Sequence, residues 1–224
     1  MDTIELAKRL RRKTLEMVCK AGSSHIGSCL SCADILAVLY GSVLRPQDKF
    51  ILSKGYAAAV LYACLAEKGF FPMERLDEFY QKDSVFTGCV NHNVPGVEAS
   101  TGACGHGLSI ACGMALARPD IRVYCLLGDG EMQEGSNWEA MLFAAHHRLD
   151  NLTAIVDFNR LQGYGEVRDV LSLDNLHDKA VAFWWTCGEV DGHDHRRLKL
   201  ECSAKPIGGS HKFIIAYTIK GYAV

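Results

Sequence analysis

The run LLGDGEMQEG (126–135) ends an apolar segment on a carboxylate, Asp129, held between Gly128 and Gly130, and then carries Glu131 and Glu134 toward a helix. An acid there is costly unless something positive faces it. The flanking glycines would let backbone N–H groups approach an anion, helped by the N-terminus of a following helix. Thirty residues on, DFNRLQG (157–163) places Asn159 at the end of another apolar run. That interval fits a turn, a helix and the next strand, which sets a carboxylate and a side-chain amide oxygen side by side. Both are hard oxygen donors, suited to Mg²⁺ or Ca²⁺ and poor for zinc. A diphosphate sharing its oxygens with the metal would complete the shell. The alternative is an ordinary strand-to-helix turn, since Gly and Asp are common turn formers.

The elements that must position these residues are legible as alternating runs. KFILS (49–53) precedes a small-residue helix from about Tyr56 to Lys68, and TGACGHGLSIACGMALA (101–117) reads as a buried helix. IRVYCLL (121–127) is a continuous apolar strand, and Ser136 with Glu139 fits a capping box for SNWEAMLFAAHH. LTAIVDF (152–158), a helix near 176–184, CGEV (187–190) and KFIIAYTI (212–219) follow. Strands apolar on both faces and separated by helices predict an α/β fold, a doubly wound, mostly parallel sheet with helices on both faces. Ligands bind such sheets at the carboxyl ends of the strands, where both polar motifs fall. No repeat, low-complexity tract or linker interrupts the sequence, so residues 1–224 are expected to form one domain.

The 224 residues suffice for one large α/β domain, and their net charge of −2 gives no basic excess to suggest nucleic acid or an anionic membrane. MDTIELAKRLRRKTLEM has an amphipathic helical pattern, with Ile4, Ala7, Leu10, Thr14 and Met17 on one stripe, and lacks the apolar core of a signal peptide. No run reaches the roughly 18 apolar residues of a membrane span. A cytoplasmic location is expected. Ten cysteines are scattered mostly through apolar segments, where a free thiol behaves as a small hydrophobe. Cys29 and Cys32 form a lone C-x-x-C, read as structural because no second pair completes a zinc site. His193 and His195 in DGHDH are read as part of a turn after a strand.

The stretch GDGEMQEGSNWEAMLFAAHHRLDNLTAIVDFNRLQ resembles the thiamine diphosphate motif of transketolases. SSHIGSCLSCADILAVLY, DKFILSKGYAAAVLYACLAEKG, VPGVEASTGACGHGLSIACGMALA, EVDGHDH and TIKG fall in the same family's order across nearly the whole chain. The resemblance implies thiamine diphosphate and Mg²⁺ (or Ca²⁺) as cofactors. It assigns the metal to Asp129, the Asn159 side chain and the backbone carbonyl of Leu161, and lines the cofactor with Gly102, Gly128 and Gly130. His25 resembles the active-site histidine that handles donor and acceptor hydroxyls. Glu134 would lie at a subunit interface in a hydrogen-bonded acidic relay. The cofactor's ylid adds to a carbonyl and stabilises the resulting carbanion. The glutamate that activates its aminopyrimidine belongs, in the family, to a second domain. The resemblance therefore implies the N-terminal subunit of a split transketolase. It would act on sugar phosphates in a heterotetramer with a C-terminal, pyrimidine-binding subunit, moving a two-carbon ketol unit from a ketose phosphate to an aldose phosphate.

Four departures bear on the substrate. Tyr56 in SKGYAA stands where the family has histidine, and Cys89 in TGCVNHNVPGVE occupies a second histidine position, with His92 nearby but out of register. Cys104 replaces the leucine that lies against the aminopyrimidine. The Lys-Gly-Lys-Gly segment becomes KGYAV (220–224), and a following segment that supplies a further histidine is expected to be missing or replaced by the partner. A tyrosine donates a hydrogen bond but does not protonate near neutral pH. These changes keep two other readings open: a thiamine diphosphate enzyme subunit with a different ketose or α-keto acid donor, and a catalytically silent cofactor-binding subunit. SKG, STG and GHGLS favour transketolases over deoxyxylulose-phosphate synthases.

Overall fold

A computed structural model describes residues 2–204 and 210–223; Val224, the last residue of KGYAV, lies outside them. Helix α1 (Thr3–Ala21) starts where the Asp2 carboxylate accepts the N–H groups of Ile4 and Glu5, at 2.9 and 3.3 Å, and ends on left-handed Gly22. Its buried face is Leu6, Ala7, Leu10, Arg11, Thr14, Met17 and Val18. Ile4, expected on this face, is 54% exposed, whereas Thr3 in the same turn meets His195 at 2.8 Å. Helices α2 (Ile26–Ser31) and α3 (Ala33–Val38) follow, then β1 (Lys49–Leu52), α4 (Ala58–Glu67), α5 (Gly107–Ala117), β2 (Val123–Gly128), α6 (Gly135–His147) and β3 (Leu152–Phe158). A two-residue-per-strand hairpin, β4 (Leu161–Gln162) and β5 (Gly165–Glu166), leads to α7 (Val167–Val170), α8 (Leu176–Ala182), β6 (Thr186–Asp191), α9 (His195–Ser203) and β7 (Lys212–Tyr217).

Five strands form one parallel sheet in the order β1-β2-β3-β7-β6. Because side chains alternate along a strand, each strand feeds two cores. Phe50, Leu52, Tyr124, Leu126, Ile155 and Ile214 join α1, α3 and α4 on one face. Ile51, Val123, Cys125, Leu127, Val156 and Phe213 join α5, α6 and α8 on the other. This is the double winding that strands apolar on both faces predict. Among the described residues no helix is long and apolar enough to cross a membrane.

The structure revises some local expectations. Helix α5 begins at Gly107, not at residue 101, because Gly102 (φ +154°) and Gly105 (φ +87°) adopt backbone angles that a right-handed helix excludes. The Ser136–Glu139 capping box does not form. Glu134 occupies the N-cap of α6 with no side-chain cap, and Ser136 Oγ instead donates to the Gly105 carbonyl at 2.8 Å, tying the loop before α5 to α6. Helix α8 stops at Ala182, short of residue 184, and Trp184 is left-handed (φ +65°).

Candidate functional site

Gly128 pairs with Asp157 at the end of the β2–β3 ladder, and the Asp129 N–H donates to the Asp157 carbonyl at 3.3 Å. Asp129 is 2% exposed. One of its carboxylate oxygens accepts the Gly130 N–H at 2.8 Å; the other accepts the Arg160 N–H. Arg160 delivers that N–H from a left-handed conformation (φ +67°), which costs a non-glycine residue about 1 kcal/mol. Burial raises the Asp129 carboxyl to about 6, against the opposing pull of the two N–H groups. Asn159 Nδ2 faces Ser31 Oγ (3.4 Å) and Asp157 (3.5 Å), which leaves Oδ1 to accept the Leu161 N–H at 3.1 Å. The Leu161 carbonyl accepts from Lys220 Nζ at 3.1 Å. The predicted metal residues are therefore brought together at the end of β3.

The donor set fits a hard cation carrying a phosphate ligand. An ammonium already sits on the Leu161 carbonyl, and Asp129 and Asp157 attract it although burial lowers the Lys220 pKa. Among the described residues no group of three or more His, Cys, Asp or Glu side chains could hold a metal. A cation here would therefore rely on the single Asp129 carboxylate with amide, carbonyl and ligand oxygens, as Mg²⁺ commonly does beside phosphates.

Beneath these oxygens lies a buried ion pair that sequence reasoning did not single out. Lys54 and Asp157, 1% and 0% exposed, meet 103 residues apart in the chain. Lys54 Nζ donates to Asp157 and to the Ser28 carbonyl (3.0 Å), while Ser31 Oγ (2.6 Å) and Thr218 Oγ1 also donate to Asp157. Burial alone would lower the Lys54 pKa, but the Asp157 charge holds it well above the lysine range. The signals were present: a lysine two residues past the apolar strand β1, and an aspartate inside apolar β3.

Glu131 is the second buried acid and serves as a fastener. Its carboxylate accepts from Ser53 Oγ (2.5 Å), Gly105 N–H (2.9 Å) and Gly128 N–H (3.1 Å), and so ties the ends of β1 and β2 to the loop before α5. Gly102 sits in that loop against Cys89, and a Cβ on Gly55 would come 2.4 Å from the Thr101 backbone. Gly128 lies close against Tyr56: a Cβ there would stand 2.6 Å from the tyrosine hydroxyl. A Cβ on Gly130 would press on Gln162 at 3.0 Å. The exposed ring of His25, in left-handed backbone (φ +70°), lies 5.5 Å from the Tyr56 ring. Glu134 is exposed beside Gly105. Thus Gly128, Asp129, Gly130, Asn159 and Leu161 form one cluster, His25 joins it through Tyr56, and Gly102 and Glu134 flank it. His92 is exposed and bonds Ser100. Cys29 and Cys32 are buried free thiols, pushed up by burial to about 11 and 12.

The fold defines a doubly wound α/β domain of the kind that takes ligands beyond the carboxyl ends of its strands. Residues 3–224 match the family described as transketolase, thiamine diphosphate binding domain, and the chain belongs to that family. It is 40% identical over 239 aligned positions to an apulose-4-phosphate transketolase subunit of Phocaeicola vulgatus, covering 100% of this chain and 85% of that one. It is 36% identical to a 6-deoxy-6-sulfo-D-fructose transketolase subunit of Clostridium sp., covering 99% and 86%. The transketolase of Leishmania mexicana superposes with a TM-score of 0.91 at 29% identity over 99% of this chain and 37% of that one. The chain thus spans most of the length of the subunit-type relatives and about a third of the single-chain enzyme.

Proposed function

We propose that residues 1–224 form a single thiamine diphosphate-binding domain, the N-terminal subunit of a split transketolase. The observation that supports this reading is that, at the end of β3, Asp129 accepts the Arg160 N–H, Asn159 Oδ1 accepts the Leu161 N–H and the Leu161 carbonyl accepts the Lys220 ammonium. In this reading Asp129, Asn159 and the Leu161 carbonyl hold Mg²⁺, and Gly102, Gly128 and Gly130 line the cofactor. Thiamine diphosphate, when bound, supplies the carbanion chemistry of ketol transfer. This chain's residues bind and orient. Asp129 supplies the charge, Arg160 N–H and Gly130 N–H fix its carboxylate, and Asp157 with Ser31 turns the Asn159 oxygen outward. His25 is exposed beside Tyr56, where it can hydrogen-bond substrate hydroxyls, and Glu134 is exposed at the head of α6, open to an acid of a partner. The partner is a C-terminal, pyrimidine-binding subunit in a cytoplasmic heterotetramer. The subunit naming of the relatives supports the existence of a partner subunit.

The test is a coupled assay of the chain co-purified with its candidate partner, given xylulose 5-phosphate and ribose 5-phosphate with and without thiamine diphosphate and Mg²⁺. Product that requires both cofactors is expected. Cofactor binding without product would turn the case to a second reading, a different donor. Tyr56 and Cys89, at positions where the resemblance expects histidines, favour that reading, and the relatives' names suggest apulose 4-phosphate and 6-deoxy-6-sulfo-D-fructose for the donor panel. Binding with no product from any donor would leave a silent subunit.

A further inference from the structure

We infer that His193 is a positioning residue that sets Lys220 at the edge of the candidate metal–diphosphate site; the inference rests on the function proposed above. His193 and His195 do lie in the turn after β6 and at the start of α9, but both side chains point inward onto Asp34 of α3, 159 and 161 residues away in the chain. His193 Nδ1 is 2.7 Å from Asp34 Oδ2 and His195 Nε2 is 2.9 Å from Oδ1, while Arg11 of α1 donates to both oxygens. Asp34 is 3% exposed, and these partners hold its carboxyl well below the usual carboxylate range although burial opposes them.

The other nitrogen of His193 makes the case. Nε2 lies 3.0 Å from the Ile219 backbone N–H, which can only donate. Nε2 is therefore the unprotonated acceptor, and Nδ1 carries the proton it gives to Asp34. One neutral imidazole thus joins a buried anion to the backbone just before Lys220. Its ring also stacks on Tyr222, with centroids 3.6 Å apart and planes at 16°, and between the two contacts Gly221 N–H donates to the Gly27 carbonyl at 3.1 Å. Residues 219–222 are pinned on both sides of Lys220. From that fixed backbone the Lys220 stem passes Gly27, where a Cβ would come 3.1 Å from Cγ, and its ammonium reaches the Leu161 carbonyl. Gly192 lets the turn press this close, since a Cβ there would meet Thr218 at 2.4 Å.

The test is a double-mutant cycle on the full chain co-purified with its candidate partner. His193→Asn keeps a donor for Asp34 and loses the acceptor for Ile219; His193→Phe keeps the stack on Tyr222 and loses both hydrogen bonds; His193→Gln restores an acceptor. Each is made alone and combined with Lys220→Met. The readouts are the hydrogen-exchange rate of the Ile219 amide and the Kd for thiamine diphosphate at saturating Mg²⁺. Asn and Phe should each speed exchange at Ile219 and weaken cofactor binding by about tenfold, as Lys220→Met does, while Gln stays near wild type. Combined with Lys220→Met they should weaken binding no further, because residues acting through one contact are not additive. Multiplying effects, or binding unchanged in both the Asn and Phe variants, would overturn the inference while leaving the proposed function standing. A wild-type complex of the chain with its partner that binds no thiamine diphosphate would overturn both. If one variant fails to fold, the other completes the cycle.

Discussion

Asp129 and Glu131 are buried acids two residues apart with different work to do. Asp129 has two N–H donors, and its raised carboxyl makes proton and divalent cation competitors for one site. Affinity for Mg²⁺ should therefore rise with pH up to about 6 and level off above it, in titration calorimetry at several pH values. Asp129→Ala should abolish Mg²⁺-dependent thiamine diphosphate binding, and unchanged binding would remove the metal assignment. Glu131 is saturated by three donors from three segments. Glu131→Ala strands buried N–H groups of Gly105 and Gly128, and should cost about 2–4 kcal/mol in a denaturant melt. Glu131→Gln, which keeps an acceptor, should cost less.

At the scale of elements, the site depends on how closely strand ends and loops approach one another. Gly128 at the end of β2 lies against Tyr56 from the turn after β1, so that a methyl group at residue 128 would have to push the tyrosine hydroxyl aside. Gly128→Ala should destabilise the chain by about 1–3 kcal/mol through overpacking. Because a Cβ there would meet the hydroxyl at 2.6 Å and the ring carbon bearing it at 3.8 Å, Tyr56→Phe in the same chain should recover much of that loss. A thermal-denaturation cycle of the two single variants and the double variant measures the coupling. Additive losses would mean that Tyr56 is not the obstacle. The same closeness explains Arg160: β3 must turn sharply for residue 160 to aim its N–H at Asp129, and the left-handed backbone is the consequence.

For the whole molecule, stability is distributed over two cores and a few buried charges. His211, at the start of β7, is 3% exposed with its ring edge-on to Trp185 at 4.4 Å, and burial lowers it from 6.5 to about 4. A depressed histidine binds its proton more readily in the unfolded chain. Stability is therefore whole above about pH 6.5 and falls as pH drops toward 4, by on the order of 3 kcal/mol. Chemical denaturation at pH 7.5 and 4.5 should show that loss, and His211→Phe should reduce it. Lys54→Met would leave Asp157 charged and unpaired in the sheet, at a cost of about 3–5 kcal/mol.

The alternation of doubly apolar strands with helices is a local property, written in consecutive residues, and it was enough to predict the parallel sheet and the strand ends where Asp129 and Asn159 emerge. The glycines around Asp129 were legible for the same reason, and the replacements at Tyr56 and Cys89 through the resemblance to transketolases. Helix starts were less so: nothing in TGACGHG announces the left-handed angles of Gly102 and Gly105, which come from loops packing on one another. What only the tertiary structure decided is which distant polar groups share a buried charge. Lys54 finds Asp157, Lys220 finds the Leu161 carbonyl, and two histidines that read as part of a turn after a strand close on Asp34. Each pairing joins segments that no periodicity relates. It is set by where the sheet brings strand ends together and by the cost of leaving a charge alone in a dry interior.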